Sequence, residues 1–195
     1  MLKTKRIIII DGVDCSGKSS LSNHIQQMAN GKCHVLHSNY NKELPSENHR
    51  RQHKVIAEFV AKQFDKKHYT GNNIVILDRN YISDMTYGTI GYGSRGTIEE
   101  KFDFLDYLFG ILCKNPDVEV SFIYCRPLKS AFDRDAKDEL LTDDENNRMQ
   151  KIYDEICLSF NMFDIFAKHN IHFVEYDFRE DPQYVLLDRE FNYFN

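Results

Sequence analysis

The chain has 195 residues, a net charge of −5 and 42% hydrophobic content. That length suits one α/β domain, and the acidic balance excludes a protein that grips duplex nucleic acid through a broad basic face. No apolar run nears the roughly 20 residues of a membrane helix. Asp11 interrupts the first apolar run too early for a signal peptide, so a cytoplasmic location is expected. The five cysteines, Cys15, Cys33, Cys113, Cys125 and Cys157, are odd in number and contain no Cys-x-x-Cys pair, which indicates neither a disulfide framework nor a zinc site.

Taken in chain order, Arg6-Ile-Ile-Ile-Ile-Asp11 reads as a buried strand and runs directly into Gly12-Val-Asp-Cys-Ser-Gly-Lys-Ser19. This is a complete G-x-x-x-x-G-K-[ST] phosphate loop. Glycines reach backbone angles that other residues avoid, so several N–H groups converge on phosphate oxygens at the positive end of the helix that follows. Gly12, Asp14, Cys15, Ser16, Gly17, Lys18, Ser19 and Ser20 are the predicted ATP-binding set, with Lys18 reaching the β- and γ-phosphates and the Ser19 hydroxyl ligating Mg2+. A helix is predicted over 17–30, with Leu21, Ile25 and Met28 on one face.

A short strand follows over 32–37. The spacing of Val55, Ile56, Phe59, Val60 and Phe64 then predicts an amphipathic helix over 47–67, ended by turn residues at 69–73. Ile74-Val-Ile-Leu-Asp78 is the next buried strand, followed by Arg79 and a short helix through Tyr87. Gly88 to Gly96 is glycine-rich. Thr97-Ile-Glu-Glu100 makes a capping box for a helix that buries Phe102, Leu105, Leu108, Phe109 and Leu112. Val118–Cys125 is a fourth strand, and Pro127 suits the first turn of a helix to about Lys137. A second capping box, Thr142-Asp-Asp-Glu145, opens one long helix with Met149, Ile152, Tyr153, Ile156, Phe160 and Phe163 on its buried side. A fifth strand covers 171–176. Strands alternating with helices predict a parallel sheet covered on both faces.

Two motifs carry a family resemblance. Ile7-Ile-Ile-Ile-Asp-Gly-Val-Asp-Cys-Ser-Gly-Lys-Ser resembles the opening of thymidylate kinases, which run a strand into E-G-x-D-x-x-G-K-[ST]. Asp78-Arg-Asn-Tyr-Ile-Ser-Asp-Met-Thr-Tyr87 is similar to their D-R-[YWH]-x-x-S-x-x-[AT]-[YF], with Asp78, Arg79, Ser83 and Tyr87 in register. The segment 116–127 resembles the stretch before the family's lid helix. The resemblance implies a three-layer P-loop nucleotide-kinase fold over 1–195, with a five-stranded parallel sheet, a short lid at about 134–142 and a homodimer. The chain departs from the family where thymine is held, having His37-Ser-Asn-Tyr-Asn and Arg50-Arg51 instead of the usual motifs. The lid region Asp133-Arg-Asp-Ala-Lys-Asp-Glu139 offers only Arg134 and Lys137 among four acids.

The chemistry that these residues suit is phosphoryl transfer. A nucleoside hydroxyl must lose a proton to a base, whereas a nucleotide 5′-phosphate is mostly ionised at pH 7 and needs cations instead. Arg79 offers a planar, permanently charged fork beside the γ-phosphate site. Asp78 is the second expected Mg2+ ligand, and its alternative role is an ordinary helix cap. The expected catalytic residues are Lys18, Asp78, Arg79 and Arg134; the expected acceptor contacts are Asp14, His37, Arg50, Arg79, Ser83 and Tyr87. The reaction expected is transfer from ATP to a deoxynucleoside monophosphate, dTMP first. A nucleoside or other small-molecule kinase of the same fold and a degenerate ATP-binding protein are the alternatives.

Overall fold

Ile7, Ile8, Ile9 and Ile10 are all fully buried, although they point alternately to opposite sides of one strand. A strand buried on both faces belongs at the centre of a covered parallel sheet. The structure, a computed structural model, describes residues 5–29, 32–38, 46–65, 74–88, 96–127 and 143–180. Its strands are β1 (Lys5–Gly12), β2 (Cys33–His37), β3 (Ile74–Asp78), β4 (Val118–Cys125) and β5 (His172–Tyr176). They form one sheet in the order β2-β3-β1-β4-β5, and every pairing is parallel.

Helices cover both faces. Ile8 and Ile10 pack with Ile74, Ile76 and Ile123 against Leu21 and Ile25 of α1 (Lys18–Met28). On the other face, Ile7 and Ile9 join Val75, Leu77, Phe122 and Tyr124 under the remaining described helices. These are α2 (Ser46–Gln63), α3 (Tyr81–Gly88), α4 (Ile98–Leu112), α5 (Asp143–Cys157) and α6 (Phe160–His169). Burying each such side chain is worth about 1.5–3 kcal/mol, so the isoleucine run is a principal anchor of the sheet. The predicted capping box at Thr97 is present: Thr97 Oγ1 accepts from Glu100 N, and Glu100 Oε2 accepts from Thr97 N, both at 3.2 Å.

One expectation is corrected. The long helix predicted from 142 onward is two helices, broken at Leu158 and Ser159. Ser159 accepts from Met162 N at 3.2 Å and donates to Ile156 O at 2.8 Å, so its hydroxyl caps the new helix and closes the old one. After the break the buried face passes to Met162, Ile165 and Phe166, leaving Phe160 91% exposed and Phe163 42% exposed although the sequence pattern puts them on the buried side. The second capping box involves Thr142, and the helix after Pro127 and the lid at 134–142 likewise lie outside the described residues. No helix among the described residues is long and apolar enough to cross a membrane.

Candidate active site

Because all five strands run in one direction, their carboxyl ends bring Gly12, His37, Asp78, Cys125 and Tyr176 to one edge of the sheet. Ligands of open α/β sheets gather at that edge, where the strand order changes direction. Here the change falls at β1, and the phosphate loop springs from it.

Backbone geometry explains the glycines. Gly12 has φ 149°, and a Cβ there would stand 2.3 Å from the carbonyl oxygen of Cys125 in the neighbouring strand. Gly17 has φ 85°, with Phe178 packed where its side chain would be. Cys15 takes a left-handed φ of 59° without being glycine. Lys18, the first residue of α1, is only 6% exposed, and its amine donates to Val13 O and to Ser16 Oγ, the latter at 3.4 Å. Burial, with Arg79 nearby adding to it, pushes the Lys18 amine down to about 8. Ser19 and Ser20 are exposed at the start of α1.

The next shell is built on two aspartates. Asp11 is fully buried, and its Oδ1 accepts from Gly12 N at 2.8 Å, Ser83 Oγ at 2.7 Å and Tyr153 OH at 2.9 Å. Its Oδ2 accepts from Asn80 N and Ser83 N. One carboxylate therefore fastens the loop entrance to α3 and α5. Asp14 accepts from Arg79 Nη2. Burial pushes the Asp14 carboxyl up, but Arg79 and Lys18 more than offset this and hold it below the usual carboxylate range.

Arg79 follows β3 with φ 67°, an uncommon conformation for a residue other than glycine, while its N–H donates to Ile10 O at 2.9 Å. That turn carries the guanidinium back toward the phosphate loop. Its Nη1 lies 3.5 Å from the Tyr87 hydroxyl, with its guanidinium carbon 5.7 Å from the Tyr87 ring centroid. Asp78 Oδ2 is 2.9 Å from His37 Nδ1, the pair being directly opposed in the β2–β3 register. Beside them opens a cleft lined by His37, Arg79 and Asn80 and walled by Leu36, Ile56 and Leu77.

Of the residues expected in the site, Gly12, Asp14 and Lys18 stand in the loop, Arg79 meets Asp14 with Tyr87 against it, and His37 and Asp78 pair with each other at the same edge of the sheet, His37 lining the cleft with Arg79. Ser83 is buried and turned onto Asp11 and Tyr153. Arg50 turns to α4: its guanidinium lies 5.7 Å from the Phe104 ring and 3.9 Å from Glu100 Oε2. Arg134 lies outside the described residues, as does Lys137. Arg126, at the end of β4, is engaged by Asp154 and Glu175.

Sequence reasoning missed Asp11, Asn80, Tyr153 and a buried group around Asp84. Asp84 Oδ1 is 3.2 Å from His49 Nδ1, and its Oδ2 is 3.2 Å from His53 Nε2. Lys101 is buried close by and is pushed down by burial, with Asp84 opposing that shift. A Ser-Asp pair on a helix and histidines four apart on another were the available signal.

This is a three-layer α/β P-loop fold, the fold of P-loop nucleotide kinases. A YorR protein from Bacillus subtilis, solved in complex with phosphorylated GDP, is similar to the chain with a TM-score of 0.57 and 15% identity, over 94% of this chain and 92% of that one. A deoxyadenosine kinase from M. mycoides, solved with dCMP and dCDP, is similar with a TM-score of 0.51 and 15% identity, over 95% and 98%. A thymidylate kinase from Candida albicans aligns with a TM-score of 0.49 and 15% identity, over 88% and 84%. No family model matches the chain, and no curated protein matches it.

Proposed function

We propose that the protein is a kinase that transfers the γ-phosphate of ATP to a deoxynucleoside monophosphate, dTMP or a related pyrimidine nucleotide first. One observation carries this reading: Lys18 and Arg79 both bear on Asp14, one from the phosphate loop and the other from the end of β3 beside the cleft. Two cations flanking one point suit a donor phosphate meeting an acceptor phosphate.

In this reading the backbone of 12–19 cradles the ATP phosphates and Lys18 neutralises the β- and γ-oxygens. An oxygen of the acceptor phosphate attacks the γ-phosphorus, the bond to the β-bridging oxygen breaks, and ADP leaves. Arg79 holds the acceptor phosphate, with Asp14 and Tyr87 fixing the guanidinium. Arg134 of the lid, 134–142, serves the charge that develops in the transition state. Ser19 and Asp78 fit Mg2+, because a hydroxyl and a carboxylate are the hard oxygen donors that this ion takes. When bound, the ion neutralises charge on the triphosphate. Residues 1–195 act as one domain, in the cytoplasm and as a homodimer, on free nucleotides.

A nucleoside kinase is the second reading, favoured by Asp78 with His37 against it at the cleft mouth, a carboxylate suited to take a proton from a hydroxyl. An ATP-coupled screen of the common nucleosides and their monophosphates, modified pyrimidines included, tests both. A pyrimidine monophosphate should turn over faster than its own nucleoside. The reverse order establishes the nucleoside kinase, and tight ATP binding with no acceptor leaves a degenerate nucleotide-binding protein.

A further inference from the structure

Asn80 sits between Arg79 and the first residue of α3, and its carboxamide is held in one orientation. Oδ1 accepts from Ile82 N at 2.7 Å, capping the helix. That bond decides which end of the amide is which, so the NH2 group is the end left for other partners. Nδ2 is buried and has no hydrogen-bond partner. Asn80 is also a wall residue of the cleft, whose lining is mostly apolar, and none of the polar side chains there, Ser38 and Tyr81 included, accepts from its Nδ2. A buried donor without an acceptor is costly, and native structures rarely keep one without a reason. His53, another polar wall residue, has its Nε2 turned to Asp84.

We propose that Asn80 is a specificity-determining residue whose NH2 group donates to an acceptor atom on the nucleoside part of the phosphoryl acceptor. This rests on the reading of the cleft as the acceptor pocket. The atom is a carbonyl oxygen of the base or an oxygen of the deoxyribose, since Arg79, one residue away, is assigned the phosphate. Because the cap locks the amide, the position can only donate. An exocyclic amine brought there meets a second donor and is rejected.

Asn80→Ser keeps an oxygen that can cap α3 but withdraws the NH2 group, its shorter hydroxyl stopping short of the amide nitrogen's position, and Asn80→Asp keeps the cap while putting an acceptor where the donor was. With the best acceptor from the screen, both variants should raise the acceptor KM at least tenfold, leave the ATP KM within twofold, and retain the wild-type Tm. Acceptor affinity measured by calorimetry without ATP should fall by the same factor. Two analogues locate the partner atom, a 3′-deoxy nucleotide and one whose base lacks the carbonyl. The analogue that lacks the partner should bind wild type weakly and lose nothing more in Asn80→Ser. Unchanged acceptor affinity in both variants, or losses that simply add for both analogues, overturns the proposal. Because binding is read without turnover, the two failures separate. Nucleotide binding that depends on Asn80 without phosphoryl transfer removes the kinase reading alone, and transfer indifferent to Asn80 removes this inference alone.

Discussion

Tyr153 donates its hydroxyl to Asp11 Oδ1 at 2.9 Å, across 142 residues of sequence. The bond ties α5 to the strand that enters the phosphate loop. Burial, and the Asp11 charge beside it, push the Tyr153 hydroxyl far above its ordinary range, so it stays a donor at any physiological pH. Tyr153→Phe keeps the ring but leaves Asp11 one donor short. A hydrogen bond to a buried charge is worth about 1.5–3 kcal/mol, so the variant should lose about 2 kcal/mol of stability in urea titrations. Unaltered stability would show that Ser83 and the backbone donors satisfy Asp11 alone.

Gly12→Ala should be far more damaging than its size suggests. The added Cβ meets the Cys125 carbonyl oxygen at 2.3 Å, and both atoms belong to adjacent strands that have no freedom to part. The φ of 149° adds strain for any L side chain. We expect a loss of about 3 kcal/mol or more, seen as a large drop in Tm or as failure to accumulate folded protein. A variant with native Tm would contradict this packing.

In the kinase reading, Lys18 should set a pH limit on nucleotide binding. With its amine pushed down to about 8, the lysine is charged below that pH and increasingly neutral above it. A phosphate raises the pKa again, so binding above pH 8 must take up a proton. Affinity for ATP should therefore vary little around pH 7 and fall by up to about tenfold per pH unit above 8. Calorimetry in two buffers of different ionisation enthalpy should register that uptake at pH 9 and far less of it at pH 7. Lys18→Met should abolish transfer, remove the pH dependence and leave Tm equal or higher, because a buried charge has been replaced by a buried apolar chain. A pH-independent wild type contradicts the placement of this amine.

The parts of the fold that were legible in the sequence are those set by local pattern. The isoleucine run could only be a strand buried on both faces, and the eight residues behind it dictate their own loop. The break at Ser159 was not legible, since the apolar spacing of Ile152, Ile156, Phe160 and Phe163 continues through it and serine tolerates a helix interior. Only the hydrogen bonds to Met162 and Ile156 reveal the cap. The site divides in the same way. Lys18, Asp78 and Arg79 announce themselves by motif, whereas Asp11 owes its importance to Ser83 and Tyr153, partners brought to it by the fold. The orphaned amide of Asn80 needs side-chain coordinates to be seen at all.

The most direct test of the central claim, that the acceptor is a phosphate, is the steady-state kinetics of wild type, Arg79→Ala and Arg79→Lys on a matched nucleoside and its monophosphate. If Arg79 grips the acceptor phosphate, the charge-assisted contacts are worth on the order of 2 kcal/mol, so alanine should cost the monophosphate at least tenfold in kcat/KM. Lysine should restore part of the loss, because an ammonium cannot make the paired contact. Any activity on the nucleoside should change much less. Equal losses on both acceptors would move Arg79 to the ATP side, and a wild type that prefers the nucleoside would contradict the account.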